Sequence, residues 1–344
     1  MTAATPTAPA ADRPRLTRWL LRLHRPALCL WSGLALALAT LLLALAGPLA
    51  DAAAEGWRQY NACAMSPRCS YGQDAILRYK DYYNYATIAL NLLPFAVAAW
   101  AGAALTGKEL ESGTARLAWT QATSPARWLA VRLAVPALAV ALCAGLLGWL
   151  HHRAWAASEG RIDSAKEWYD RFTFHANGPT LAALALAGLA AGALAGLLLR
   201  RALPALIVGV LVTGGVRGLA ELALPHLWPA VTRTSAVDKL VPGSGLAVEQ
   251  GMVTRDGAHV PVPSCNTPVE CDAAFRNFTG RYNTFHPLSH FWPLQLTTTA
   301  LALAVAGLLA AGCFLALRRV TGELRPGRTA KAPKGTAKAL KTAA

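Results

Sequence analysis

The sequence predicts an all-α, polytopic membrane protein with six transmembrane helices, both termini in the cytoplasm and an interfacial helix near the N-terminus. Of its 344 residues, 54% are hydrophobic and 15% are charged, whereas a soluble domain carries about 25% charged residues. The formal net charge is +15, so the cationic groups have to be segregated from the long apolar segments. These values disfavour a cytosolic enzyme, a disordered chain and a DNA-binding domain.

Six apolar segments are long enough to cross a bilayer, whose hydrocarbon core of about 30 Å needs about 20 helical residues. The six segments are residues 27–50, 85–105, 128–150, 180–199, 202–223 and 296–317. An even number of spans puts the two ends of the chain on the same side of the membrane.

These spans divide the chain into three predicted parts. They are a cytoplasmic tail with the interfacial helix at 1–26, a six-span domain at 27–317 and a basic cytoplasmic tail at 318–344. The outer loops are then residues 51–84, 151–179 and 224–294. We expect the last loop to fold as short helices, because about 70 residues are too many for a bare connection.

The distribution of charge predicts the orientation. With the N-terminus inside, the cytoplasmic pieces 1–26, 106–132, 200–201 and 318–344 hold 19 of the 33 basic residues and 4 of the 18 acidic residues. Lysine and arginine concentrate in the cytoplasmic loops of membrane proteins, so both termini are predicted to be cytoplasmic. No aromatic residues lie between the lysines of the C-terminal tail, which favours anionic membrane lipids over nucleic acid as its partner.

Residues 15–25 carry an amphipathic pattern just before the first span. One predicted helix face holds Leu16, Trp19, Leu20 and Leu23, and the other holds Arg15, Arg18, Arg22 and Arg25. A basic amphipathic helix of this kind lies in the plane of the lipid headgroups. The alternative is a disordered basic tail.

Four of the seven cysteines fall in the outer loops, where Cys63 is close to Cys69 and Cys265 is close to Cys271. Disulfides persist outside the cytoplasm, so we expect two local bridges, with four free thiols as the alternative. Neither pair has the CxxC spacing of a zinc or redox site. We therefore predict no metal in this chain.

Several residues within or beside the spans stand out from their apolar surroundings. Asn91 lies in the second span, and Arg217 and Glu221 lie four apart in the fifth, where they can pair on one helix face. Ionisable groups at membrane depth are costly and often functional, so both a structural pair and a lining of the translocation pathway remain open. His151 and the next histidine, at the end of span three, are interpreted as interfacial.

The fourth span contains Gly188, Gly192 and Gly196 at a spacing of four residues. This spacing places the three glycines on one face of a helix, where another backbone can approach closely. The pattern predicts tight helix packing more than a functional site.

No motif predicts catalysis by this chain. Residues 102–108, GAALTGK, match the G-x4-G-K part of a phosphate-binding loop, but Glu109 stands where such a loop needs Ser or Thr to hold magnesium. The segment also follows a membrane helix rather than a strand. The chain is therefore predicted to be no enzyme and to hydrolyse no ATP itself.

The longest internal cytoplasmic connection is the loop 106–127. Two glutamates open it, Gly113 and Thr114 interrupt it, and residues 116–121 predict a short helix. A short, charged helix at the cytoplasmic face can dock onto another protein, and the alternative is that its charges are merely solvated.

Two stretches of this sequence resemble a known family. The pattern E-x-G-T followed by R-L-x-W-T-Q, at Glu111–Gln121, resembles the first inner loop of type-2 ABC exporter permeases, particularly of the actinobacterial branch. His286–Gln295 contains P-x-S-x-F-W-x-x-Q, which is similar to a stretch of the same branch. Together with the span count, the resemblance covers nearly the whole chain.

This resemblance implies an exporter of the bacterial plasma membrane, built from a homodimer or from this chain and a second permease. A separate ATP-binding subunit, which binds ATP and Mg²⁺, would drive it, and this chain would hold no cofactor. The residues implied in coupling to that subunit are Glu109, Glu111, Gly113, Thr114, Arg116 and Gln121.

Two other functions remain open on the sequence. One is a non-transporting membrane scaffold or sensor whose outer loops bind a ligand or protein, and the other is an intramembrane enzyme. For a transporter, the uncharged polar residues Thr40, Asn91 and Thr213 within spans favour a lipid-like or amphipathic cargo.

Overall fold

The computed structural model describes residues 22, 25–63, 69–121, 124–237, 239 and 243–322. Most of the predicted interfacial helix at 15–25, and the basic tail beyond residue 322, lie outside the described residues.

Six helical segments among the described residues are long and apolar enough to cross a membrane, which confirms the six predicted spans. Their helices are α1 (Arg25–Ala46) continued by α2 (Pro48–Ala62), α3 (Gln73–Trp100), α6 (Pro125–Ser158), α8 (Thr180–Leu199), α9 (Ala202–Ala223) and α11 (Phe291–Thr321). A π-helical segment, Ala101–Gly107, and α4 (Lys108–Glu111) extend α3. The shorter helices are α5 (Thr114–Gln121), α7 (Arg171–Ala176) and α10 (Pro268–Phe275).

The helices run further than the apolar segments that predicted them. Helix α6, of the third span, continues to Ser158. Helix α3, of the second span, begins at Gln73, twelve residues before its apolar segment. Hydropathy detects only the part of a helix that is apolar, whereas backbone hydrogen bonding continues through the charged turns beyond it.

Successive spans alternate in direction, so the bundle has two distinct ends. We call the end with the connections 112–124 and 200–201 the loop end, and the end with the connections 63–72, 159–179 and 227–287 the sheet end. The first described helix begins at the loop end and α11 finishes there.

Local signals set the helix starts. The Ser124 hydroxyl accepts a hydrogen bond from the Arg127 N–H, and Pro125 occupies the first position of α6. At the sheet end the Asp170 carboxylate accepts from the Thr173 N–H and begins α7. Capping thus fixes where α6 and α7 begin.

Helix α8 is the centre of the bundle. It contacts α3, α6, α9 and α11, and 78% of its most apolar window is buried. Its glycine face lies against the backbone of the second span, where a Cβ on Gly188 or Gly192 would overlap the Pro94 or Ala98 carbonyl. The predicted close packing of these glycines is therefore present.

The outer connection 224–294 holds a four-stranded antiparallel sheet in the order β1-β4-β2-β3. The strands are β1 (Val231–Ala236), β2 (Leu246–Thr254), β3 (His259–Val260) and β4 (Phe278–His286). The expectation of short helices alone was wrong, because α10 and two 3-10 turns are accompanied by this sheet. Strand-favouring residues such as those of FTGRYNTFH, the sequence of β4, carried the signal.

The sheet is attached to the helical bundle through β4, one of its two central strands. Tyr282 and Phe285 of β4 are buried, and the His286 Nε2–H donates to the Pro225 carbonyl at 3.0 Å, just past α9. The sheet is therefore positioned directly above the end of the fifth span.

We predict that Gly192→Ala lowers the stability of the protein. The added methyl group meets the second span's backbone, and such overpacking costs about 1–3 kcal/mol. Thermal unfolding of the purified chain in detergent measures this as a lower midpoint.

Gly145→Ala is the matched control, because a Cβ at Gly145 has nothing within 4 Å. Its midpoint should stay or rise, since alanine favours a helix over glycine by about 1 kcal/mol. Equal midpoints for the two variants would contradict the close contact at Gly192.

Candidate functional site

The loop between the second and third spans makes a tight turn at the loop end. Gly113 has a φ of 76°, a left-handed conformation that glycine adopts without strain. Beside it, the Thr114 hydroxyl donates to the Glu109 carbonyl at 3.3 Å, and the Ser112 and Thr114 hydroxyls lie 3.0 Å apart. These contacts turn the chain from α4 into α5.

Glu109 points into the bundle rather than toward solvent. Its carboxylate forms an ion pair with Arg132 of the third span, whose side chain is 2% exposed. The Arg132 Nη1 donates to the Leu105 carbonyl at 2.7 Å, and its guanidinium lies 4.6 Å from the centre of the Trp128 ring. Glu109 therefore fastens the loop to the third span.

Glu111 fastens the same loop to the fifth span. Its Oε2 accepts a hydrogen bond from the Ala202 N–H at 2.9 Å. Ala202 is the first residue of α9, where free backbone N–H groups and the helix dipole favour a carboxylate. The two glutamates thus tie one loop to two different spans.

Helix α5 has one packed face and one exposed face. Ala115 is fully buried, and the Trp119 ring meets the Trp128 ring edge-on at 5.5 Å between centroids. Opposite them, Arg116, Leu117 and Thr120 are exposed. Gln121 ends the helix, and its side chain lies outside the described part of the structure.

At the other end of the bundle, the structure brings the polar residues of spans two and five together. The Nε and Nη2 of Arg217 donate to the Glu221 Oε1 at 3.3 and 3.2 Å. The Nη1 of the same guanidinium donates to the Asn91 Oδ1. Arg217 is 9% exposed, so its charge is held in the bundle by these two partners.

His151 extends this group into the third span, which sequence reasoning missed. Its ring is fully buried inside the bundle, and the interfacial interpretation included no contact with neighbouring helices. The Nδ1 lies 2.5 Å from the Asn177 Oδ1 and the Nε2 lies 2.8 Å from the Thr87 hydroxyl. Two polar rings directly after an apolar segment were the available signal, but hydropathy does not reveal a partner 64 residues away.

These residues clamp the short helix α7 onto the bundle. The Asn91 Nδ2 donates to the Phe172 carbonyl at 2.9 Å. From the sixth span, the Gln295 Nε2 donates to the Phe174 carbonyl at 2.6 Å, and its Oε1 accepts from the Thr180 hydroxyl at 2.5 Å. Gln295 ends the second family-like motif, so that motif positions α7. We call Thr87, Asn91, His151, Asn177, Arg217, Glu221 and Gln295 together the α7 clamp.

One histidine of α7 faces the ion pair of the clamp. The His175 Nε2 lies 3.8 Å from the Glu221 Oε1. Burial and the neighbouring Arg217 cation lower the pKa of His175 to about 3. The ring is therefore neutral at physiological pH, and Arg217 supplies the positive charge that balances Glu221.

A comparison with protein families matches residues 32–224 of this chain to the ABC-2 membrane transporter related family. The match covers more than half of the chain. The protein belongs to this family. No curated protein and no solved structure matches significantly.

Membership in the ABC-2 membrane transporter related family agrees with the resemblance found in the inner loop. It identifies the chain as a permease-type, multi-pass membrane subunit that is not itself catalytic, in keeping with a bacterial plasma membrane. The family implies pairing with an ATP-binding subunit. The matched region includes the inner loop and all of the clamp except Gln295.

The outer cysteines lie within bonding reach of the partners that the sequence predicts. The Cα atoms of Cys63 and Cys69 are 5.6 Å apart. Those of Cys265 and Cys271 are 5.1 Å apart. Both distances are inside the usual disulfide range, so the structure pairs Cys63 with Cys69 and Cys265 with Cys271.

We predict that alkylation of the denatured chain, followed by mass spectrometry, labels three thiols before reduction and all seven after it. The four that need reduction are those of the two bridges, because a disulfide sulfur does not react with the alkylating reagent. Labelling of all seven before reduction would show that the bridges are absent.

We predict that Arg217→Leu and Glu221→Leu each destabilise the protein by about 1–3 kcal/mol, because each leaves a buried Arg217 or a partly buried Glu221 without its charged partner. The double variant should lose less than the two single losses combined. A double-mutant cycle of unfolding free energies in detergent measures the coupling. Additive losses within about 0.5 kcal/mol would contradict a coupled pair.

Proposed function

We propose that this chain is the membrane-spanning subunit of an ABC exporter, with both termini in the cytoplasm. A separate ATP-binding subunit, which holds ATP and Mg²⁺, docks on the loop 106–127 at the loop end. A second copy of the chain, or a second permease, completes the export pathway. Family membership and the charge distribution support this assignment.

The observation that carries the proposal is the two-sided packing of α5. One face is fixed to the bundle through Ala115 and Trp119, while the opposite face of Arg116, Leu117 and Thr120 is left free. An exposed leucine flanked by polar and cationic side chains suits a groove on another protein. If the charges of this loop were merely solvated, α5 would not need a face that packs against the bundle.

The attachments of this loop would pass a displacement on to three spans. Glu109 connects it to the third span through Arg132, Glu111 connects it to the fifth through the Ala202 N–H, and the chain itself connects it to the second. A π-helical segment, a form often found at functional sites, joins the loop to the second span. Closure of the ATP-binding subunits would therefore move several helices at once.

The α7 clamp lies at the sheet end of the bundle, opposite the loop 106–127. Spans two, three and six form hydrogen bonds to α7 or its flanks, and Arg217 and Glu221 of span five lie against Phe172 and His175 of α7. A relative tilt of these spans would break or rearrange the clamp, so α7 would respond to movement of the loop. Asn91, Arg217 and Glu221 then line the exit or control its opening.

We expect the double variant that combines Arg116→Glu with Leu117→Glu to lose the ATP-binding partner. Reversing a charge and placing a carboxylate in an apolar contact each cost several kcal/mol, enough for a loss of affinity of more than about 100-fold. Affinity purification of the tagged chain from its host, with quantitative mass spectrometry of ATP-binding proteins, measures the loss.

The combination of Val269→Glu with Arg276→Glu is the matched control, because it makes the same changes around a short exposed helix at the sheet end. This control should retain the partner. Retention by both variants would contradict docking at the loop. A wild-type chain that copurifies with no ATP-binding protein would instead favour the scaffold or sensor.

A further inference from the structure

The surface around α5 concentrates positive charge. Ala115 of α5 packs in one apolar cluster with Trp128, Leu197 and Leu317 of the third, fourth and sixth spans. An exposed arginine lies within three residues of each of these four side chains, and Lys108 is exposed at the start of α4. These cations therefore lie around α5, and we call them the basic rim: Lys108, Arg116, Arg127, Arg200 and Arg318.

No carboxylate in the described part of the chain forms an ion pair with the basic rim. The two glutamates of the adjoining loop are engaged elsewhere. Glu109 pairs with Arg132, and Glu111 accepts from the Ala202 N–H at 2.9 Å. The positive charge of the rim is thus left for another molecule to neutralise.

Exposed charges at the sheet end are arranged differently. Arg161 pairs with Asp51 at 2.8 Å, and Lys166 lies 3.7 Å from Asp170. Charges of both signs interspersed in this way are the ordinary pattern of a solvated surface. The rim, with one sign of charge, departs from that pattern.

The position of the rim favours a protein over lipid headgroups as the partner. Headgroups surround the side of a helical bundle, whereas α5 packs across the ends of three spans. Leu117 is 57% exposed among the rim residues, and an apolar centre within a polar, charged rim is typical of protein–protein interfaces. Only a partner that covers the end of the bundle contacts Leu117 and the rim together.

We propose that the loop end binds an acidic protein surface, in which Asp and Glu side chains surround an apolar depression for Leu117. Such a surface neutralises the rim and relieves the repulsion among its like charges. The inference rests on the proposed function for the identity of the partner, the ATP-binding subunit, and adds the chemistry of the groove that receives α5.

The first test measures how salt affects binding and needs no variant. The ATP-binding subunit recovered with the tagged chain is produced separately and titrated onto the wild-type chain in phosphatidylcholine nanodiscs. Between about 0.1 M and 1 M NaCl the Debye length falls from about 10 Å to about 3 Å, so we expect the Kd to rise by roughly tenfold or more. An unchanged or lower Kd at high salt would overturn the proposal, because salt does not screen apolar contacts.

The second test removes charge from the rim. The variant combines Arg127→Gln, Arg200→Gln and Arg318→Gln, which are exposed positions where glutamine needs no new space. Each lost pairing at an exposed site weakens binding by up to about fivefold, so the three together should raise the Kd by roughly tenfold or more. Its salt dependence should also be weaker than that of the wild type.

The matched control combines Arg78→Gln, Arg153→Gln and Arg255→Gln, which remove the same charge from exposed positions at the sheet end. It should bind as the wild type does. Equal affinities for the rim variant and the control contradict the proposal. If that equality comes with loss of phosphatidylglycerol from the rim variant in nanodiscs of mixed lipid, the rim serves headgroups instead.

The third test identifies the partner's carboxylates directly. A zero-length carbodiimide joins an amine to a carboxylate only where the two are in contact, and mass spectrometry maps the joined residues. We expect Lys108 and the Arg200→Lys variant to link to Asp or Glu of the ATP-binding subunit, and the Arg78→Lys variant at the sheet end to give no such link. Absence of links from both rim positions in a formed complex counts against an acidic groove.

These measurements separate this inference from the proposed function. A chain that recovers no ATP-binding subunit contradicts both. A subunit that binds with no dependence on salt or on the rim contradicts the acidic groove alone and leaves the proposed function standing.

Discussion

The close approach of α8 to the second span is the contact on which the other features depend. Gly188 and Gly192 let two backbones meet without side chains between them, and Gly196 leaves room for the Thr106 side chain. Close packing of this kind is the main attraction available between helices in lipid. Because α8 also contacts α6, α9 and α11, it sets the position of four neighbours. Both the loop and the α7 clamp are built on helices held in this way.

The polar groups at the sheet end follow a second constraint, that buried hydrogen-bonding groups need partners. Arg217 meets Asn91 and Glu221, and Gln295 meets Phe174 and Thr180. Several of these partners are backbone groups of α7 and its flanks, so satisfying the spans also fixes the outer segment. These residues can supply hydrogen-bond partners for one another and also act in the proposed pathway, because a clamp held by several spans responds when those spans move.

The loop end is organised differently, because its two glutamates are used internally. Glu109 and Glu111 bind Arg132 and the Ala202 N–H, which leaves contact with a partner to α5. Arg132 also belongs to this attachment, because it forms the ion pair with Glu109. The described part of the loop before residue 122 is therefore attached to three spans through the chain itself, Glu109 and Glu111.

The sequence by itself determined the number of spans, the membrane class and the family-like loop, because apolar length and short motifs are properties of neighbouring residues. It also indicated the glycine packing face and singled out Asn91, Arg217 and Glu221. Only the tertiary structure decided that Asn91 meets Arg217, 126 residues away, that His151 is buried, and that Glu109 faces inward. Hydropathy does not specify how each helix is rotated about its axis, and that rotation decides which side chains meet.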